Sequence, residues 1–167
     1  IAKAVNTLGD VFYFTRQYER SIHYYERSIQ IARSIKNRLV LGSSLVELGV
    51  VYVATKDLEM LKVVTKEALE IAEDLGNTDL LFEAMVLNAQ CYSLNGEIEE
   101  AQRLLNEAIF STEEKDQLAY GYFQKWRIVP EDTKAYAKAL ALYEELYQRT
   151  PKYIFRERLA QLREATN

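Results

Sequence analysis

The feature of this sequence that most constrains its fold is a pattern that repeats every 40 residues. Leu8-Gly9 recurs as Leu48-Gly49, and an aromatic residue follows each glycine three positions later, as Phe12 and Tyr52. A third copy carries Ala89 and Tyr92 at the same spacing, and the three copies align without a gap from residue 1 to about residue 116. A period of this length indicates supersecondary units that stack and share one continuous core.

The apolar residues within each copy follow helical spacing. In the first half of the first copy, Ala4, Leu8 and Val11 predict one stripe on a helix, and the second half carries a similar stripe through Tyr25 and Ile29. Short polar segments separate the halves, with sequences TRQ, TKD and NGE. Each copy therefore predicts two antiparallel helices joined by a tight turn. The small residues at Gly9, Gly49 and Ala89 predict a close approach by the backbone of another helix.

These residues resemble the tetratricopeptide repeat. That family's pattern has a large apolar residue, then Leu-Gly, then an aromatic, followed on the second helix by a small residue, an aromatic and a small residue. The matches are Val5, Leu8, Gly9, Phe12, Ser21, Tyr25 and Ser28 in the first copy; Leu45, Leu48, Gly49, Tyr52 and Ala68 in the second; and Met85, Ala89, Tyr92, Ala101, Leu105 and Ala108 in the third. The period is similar to the longer subclass seen in Pins-type adaptors, kinesin light chains and Rap-type regulators. The resemblance implies an all-α, right-handed superhelix of antiparallel helix hairpins.

We predict a single domain over residues 1–167, with units of about 1–37, 38–77, 78–116 and 117–150. The last unit is less regular, and it predicts a helix that stops near Pro130 and a second helix capped by Asp132 or Thr133. A capping helix is predicted over about 151–165, with Tyr153, Ile154, Leu159 and Leu162 for burial.

Composition and charge narrow the functional classes. Residues 57–116 carry a net charge of −11, while residues 1–56 carry +4. An acidic middle segment argues against nucleic acid, because nucleic-acid binding usually needs a basic stripe. No long apolar run predicts a membrane span, and the one cysteine, Cys91, fits a reducing compartment, so we expect a cytoplasmic protein. Because the first residue is Ile1 and no cap precedes the first helix, we expect a fragment of a longer protein.

No pattern of residues predicts catalysis, and we expect no enzyme, cofactor or metal site. The common phosphate-binding, nucleophile and zinc motifs are missing. The one histidine, His23, has no second ligand nearby, and Cys91 lies on a packing face without a partner histidine, so we expect a buried thiol. An aromatic segment containing Phe123 and Trp126 either fills the junction before the cap or offers an exposed anchor for a partner.

The resemblance implies that the first helices line a concave, peptide-binding face. Carried onto this sequence, the predicted groove residues are Asn6, Asp10, Tyr13, Val46, Val50, Val53, Val86, Gln90 and Ser93, with Lys3, Ser43 and Glu83 on the same concave face. Asp10 and Glu83 bring negative charge and the valines bring an apolar strip, which favours an apolar or basic peptide over a terminal carboxylate. Alternatively, the neighbouring unit buries some of these valines.

These patterns favour a noncatalytic module that binds a protein or peptide, as the sensor or scaffold part of a larger regulatory protein. Two alternatives stay open. One is a regulator of the Rap type, which responds to a signalling peptide. The other is a self-assembly domain, with a homodimer formed through the apolar ends of the stack.

Overall fold

Helices occupy most of the chain in the computed structural model, which describes residues 1–165. Within those residues there are nine helices and no strands, so the prediction of an all-α helical repeat is confirmed. The helices are α1 (Ala2–Phe14), α2 (Tyr18–Ser34), α3 (Arg38–Thr55), α4 (Leu58–Leu75), α5 (Thr78–Leu94), α6 (Ile98–Phe110), α7 (Lys115–Ile128), α8 (Thr133–Arg149) and α9 (Tyr153–Glu164). The starts of α2, α4 and α6 lie 40 residues apart, as the repeat predicted.

The turns between the first six helices repeat every 20 residues. Each turn contains one residue in the left-handed backbone region, and these residues are Arg16, Lys36, Lys56, Gly76 and Gly96. At each turn this residue and the next donate their backbone N–H groups back to carbonyls of the preceding helix, for example Lys56 to Val53 and Asp57 to Tyr52. The side chains of Asn37, Asp57 and Asn77 then cap the next helix. One helix is thus stopped and the next is started within three residues.

The chain divides into two compact units, residues 1–97 and the part that begins at Ile98. The boundary separates α5 from α6, which were predicted to form one hairpin. That residues 1–167 form a single right-handed superhelical domain stays a prediction.

In the first unit, α3 is the central helix and contacts α1, α2, α4 and α5. This central position explains why α3 is apolar around most of its circumference, because a helix that is surrounded by other helices is apolar on every side. The length and composition of α3 would also suit a membrane span, as those of many buried core helices do, and 56% of its 18 residues are buried inside the structure. The expectation that no membrane is bound stays a prediction.

Small residues allow α1 and α2 to pack closely. Ser21 donates a hydrogen bond to the carbonyl oxygen of Gly9 at 2.9 Å, and Ser28 donates one to that of Ala2 at 3.0 Å. A Cβ atom added at Gly9 would lie 2.6 Å from the ring of Tyr25. The neighbour that requires glycine here is therefore a side chain, and not the helix backbone that the sequence analysis expected.

In the second unit, α7 and α8 form a hairpin and α9 packs on α8. Asp132 caps α8 by accepting a hydrogen bond from Ala135. Phe123 is fully buried in this core, and Trp126 packs beside it in a half-buried position. Core packing is therefore the role of Phe123. Tyr153 was expected to be buried, which is wrong: it is half exposed beneath Arg156.

Candidate peptide-binding face

The first helices of the predicted hairpins lie next to one another in the first unit, with α3 touching both α1 and α5. A cleft of about 430 Å³ opens along them. Lys3, Asn6, Ser43 and Glu83, all placed on the inner face by the sequence analysis, line this cleft, together with Asp79. The three helices therefore bring four of the predicted positions to one concave surface.

The nine predicted groove residues differ in burial. Val46, Val86 and Gln90 are buried, whereas Asn6, Asp10, Tyr13, Val50, Val53 and Ser93 keep part of their surface exposed. Val46 belongs to the hydrophobic core, and Val50 and Val53 pack against the edge of that core. Val46 and Val86 are thus buried, as the alternative expected of some valines, and that the neighbouring unit buries them stays a prediction. The contact of these residues with a peptide stays a prediction.

Acidic side chains dominate the electrostatics of this face. Asp10 accepts a hydrogen bond of 2.7 Å from the hydroxyl of Tyr25, which fixes the position of its carboxylate. Glu47 of α3 is half-buried, and desolvation raises its pKa to about 8, with further contributions from the negative charges of Asp10 and Glu83. Acids from α1, α3 and α5 are thus close enough to influence one another.

The sequence analysis missed Glu47. The signal for it was a single acidic residue inside the apolar run of α3, LVELGVV. A charged residue in such a run costs free energy unless it is neutralised or paired, and this cost marks it as a candidate for function.

The polar atoms of this face can accept hydrogen bonds. Among the described residues, the Oδ1 atom of Asn6 is buried and has no hydrogen-bond partner. With the carboxylates of Asp10 and Glu83, this atom adds a further acceptor. Such a surface favours a ligand that brings N–H donors or positive charge, and it disfavours a free carboxylate.

A second cavity of about 610 Å³ lies between α4 and α5. It is lined by Thr65, Leu69 and Cys91 and by charged residues of both signs. Cys91 is buried, as predicted, and desolvation is the main cause of its raised pKa. A thiol that stays protonated is a weak nucleophile.

Over residues 1–165, no group of three or more His, Cys, Asp or Glu side chains is arranged to hold a metal ion. His23 is exposed and contacts the ring of Tyr24 edge-on, with 5.6 Å between the ring centroids. Its position on α2 fits a surface residue.

The comparisons with known proteins agree with this description of the helices. Residues 2–35, which cover α1 and α2, match the family model of the tetratricopeptide repeat. No curated protein matches the chain. The match supports a tetratricopeptide-repeat domain, and this family is generally a noncatalytic scaffold for protein interactions.

Proposed function

We propose that this chain is a noncatalytic binding module whose first unit holds a basic or apolar peptide segment of a partner protein along α1, α3 and α5. The observation that carries the proposal is the cleft between these helices, because its walls include positions that the family resemblance assigned to the inner face. The binding unit would serve as the sensor or scaffold part of a larger regulatory protein in the cytoplasm.

The chemistry of the cleft supports a basic ligand. Among the described residues, Asp79 and Glu83 line the cleft with one cation, Lys3, so its charged walls carry a net negative charge, and Glu83 also contributes to the raised pKa of Glu47. A Lys or Arg side chain that entered would relieve the repulsion between these acids and would favour the ionised form of Glu47. Beside the acids, Val50 and Val53 offer partly exposed apolar surface for aliphatic side chains.

A selection from a phage-displayed library of random peptides tests the proposal. We expect the purified chain to enrich peptides that contain Lys or Arg next to aliphatic residues. Binding of a selected peptide should weaken by about tenfold or more in Val50→Arg, which places a cation and added bulk on the apolar strip. Glu83→Gln should also weaken binding, because it removes one negative charge from the cleft.

The matched control is Glu131→Gln, which makes the same change at an exposed residue of the second unit. It should bind like the wild type. Enrichment of acidic peptides, or binding that a folded Val50→Arg variant retains in full, would contradict the proposal. Circular dichroism of each variant shows whether it is folded.

A further inference from the structure

The cavity between α4 and α5 is separate from the peptide-binding face. Its walls come from one side of α4, one side of α5 and the turn that follows α5. Within residues 1–165, the residues that line it do not overlap with those that line the cleft along α1, α3 and α5. Its volume of about 610 Å³ suits a small molecule, since such sites measure roughly 300–1,000 Å³. We call it the α4–α5 cavity below.

The repeat shows that this cavity is an opening in a junction that is closed one copy earlier. Helix α2 packs on α3 as α4 packs on α5. In the earlier junction Leu48 and Tyr52 are buried, at 3% and 4% exposure. Their counterparts 40 residues later, Asn88 and Tyr92, line the cavity and are only half-buried. The later junction has thus lost apolar packing and gained a polar side chain at the same place.

Thr65 brings a hydrogen-bonding group that no described residue uses. It lines the cavity at 2% exposure, and its Oγ1 atom is buried without a hydrogen-bond partner among residues 1–165. The helical threonines Thr7 and Thr55 instead donate their hydroxyls to the carbonyl oxygen four residues earlier, each at 3.1 Å. Leaving a buried hydroxyl unpaired costs free energy, which a ligand that hydrogen-bonds to Thr65 would recover.

The charged residues around the cavity offset one another. Two lysines and three glutamates line it. Lys62 lies 3.7 Å from Glu59, and Lys66 lies 4.0 Å from Glu70. Because each lysine has a carboxylate beside it, neither is a ready site for an anion, and the lysines weaken the attraction of the carboxylates for a cation. The cavity therefore favours an uncharged ligand.

The residues beneath these charges are suited to an aromatic ring. Leu69 and Tyr92 offer partly exposed apolar surface, and Cys91 lies between the two helices at 7% exposure. A buried thiol packs as a small hydrophobic group, and the ring of a tyrosine packs well against another ring. A ring that carries a hydroxyl would make these contacts and would also reach a partner for Thr65.

We propose that the α4–α5 cavity binds an uncharged aromatic molecule that carries a hydroxyl group, with its ring against Leu69, Cys91 and Tyr92 and its hydroxyl hydrogen-bonded to Thr65. Both hydroxyls can donate and accept, so the pair can form in either direction. The proposal does not depend on the proposed function, because it uses none of the residues of the cleft.

The probe is 2-naphthol, which joins two aromatic rings to one hydroxyl and is uncharged near pH 7, as phenols are. Naphthalene is the control without the hydroxyl, and 2-naphthoate is the control with a negative charge. Cys91 is the one cysteine in the chain, so its rate of alkylation by iodoacetamide, followed by mass spectrometry, reports whether the cavity is occupied. We expect 2-naphthol to slow alkylation by about tenfold or more. Naphthalene should bind about tenfold more weakly, and 2-naphthoate should leave the rate unchanged.

Substitutions test where the probe binds. Thr65→Val keeps the shape of the side chain and removes the hydroxyl, so it should weaken 2-naphthol binding by about tenfold and change naphthalene binding less than about twofold. Asn88→Leu introduces the residue found at Leu48 and should weaken both probes by narrowing the cavity. Thr7→Val makes the matched change at an exposed position of α1 and should bind like the wild type. Circular dichroism shows whether each variant is folded.

Three results would overturn the proposal. The first is alkylation of Cys91 that 2-naphthol does not slow in the wild-type chain. The second is equal affinity for 2-naphthol and naphthalene, or a loss of affinity for 2-naphthol that is the same in Thr65→Val and Thr7→Val. The third is protection by 2-naphthoate that matches protection by 2-naphthol, since that result would make the cavity a site for anions.

Discussion

Glu47 makes the stability of the first unit depend on pH in the opposite sense to a typical salt-bridged carboxylate. Its pKa is about 8 in the folded state, against an ordinary value of 4.5. Below the lower value both the folded and the unfolded chain hold the proton, so Glu47 has no effect on stability. Between the two values only the folded chain holds it, and the free energy of unfolding falls by about 1.4 kcal/mol for each pH unit. Above the higher value the full penalty remains.

The size of the penalty follows from these values. At pH 7 it amounts to about 3 kcal/mol, an upper limit because Glu47 is half-buried and solvent screens part of the effect. Glu47→Gln removes the ionisation while keeping the shape of the side chain. We expect this variant to be more stable than the wild type, with an advantage that grows by up to about 3 kcal/mol between about pH 5 and pH 8.

Urea denaturation followed by circular dichroism at these two pH values measures the difference. The two proteins are identical at every other position, so the comparison isolates Glu47. Glu131→Gln serves as a control, and its stability should follow the wild type at both pH values. Curves for the wild type and Glu47→Gln that run parallel from pH 5 to pH 8 would refute the argument that Glu47 is desolvated next to Asp10 and Glu83.

Three further substitutions test the packing and the turns by urea denaturation. Lys56→Gly should stabilise the chain by about 0.5–1 kcal/mol because residue 56 has a φ of 59°. Lys66→Gly, the control inside α4, should instead destabilise it by about 1 kcal/mol. A loss of stability in Lys56→Gly would contradict this account of the turn. Asn77→Ala should cost about 1 kcal/mol, because the side chain of Asn77 caps α5 by accepting a 2.8 Å hydrogen bond from Leu80, and an unchanged midpoint would show that the cap is dispensable. Gly9→Ala should destabilise by about 1–3 kcal/mol through the clash with Tyr25, so a gain in stability would mean that the ring moves at little cost.

The repeat predicted the helices well because it combines two independent signals. Helical spacing located the apolar stripes, and polar turns recurring at a fixed interval located the ends, so the starts of α2, α4 and α6 followed the 40-residue period. The division of the chain at Ile98 was not predicted. It separates α5 from α6, although the repeat pattern continues across that point without a gap.

The candidate site was harder to predict, because alignment of the copies favours positions that stay alike. Glu47 corresponds to Thr7 in the first copy and to Leu87 in the third. Thr7 is exposed, Glu47 is half-buried and Leu87 is buried. Aligning the copies for shared residues does not select Glu47, because its counterparts differ from it. The free-energy cost of burying a single carboxylate in an apolar run would have selected it.

The second copy shows how a change at one position is compensated by a residue of the next copy. Tyr25 fills the space over Gly9 in the first hairpin, but its counterpart in the second hairpin is Thr65, which is too short to do so. The side chain of Leu87, reaching across from α5, occupies the space over Gly49 instead. The glycine is thus retained while its neighbour changes from a residue of the same hairpin to a residue of the next first helix.

The same reasoning explains why the exposure of Leu8 was not predictable from residue type. Leu8 and Leu48 are the same residue at the same point of the repeat, and they differ in exposure because α2 covers α3 whereas no described element covers that side of α1. Local sequence therefore specifies a surface that is suitable for packing, and the neighbouring element decides whether the surface is core or interface. At Glu47 the neighbours raise the pKa of an ordinary carboxylate to about 8, and at Leu8 no described element covers a residue that is buried in the next copy. At both positions, one copy of the repeat thus differs from the others in its surroundings.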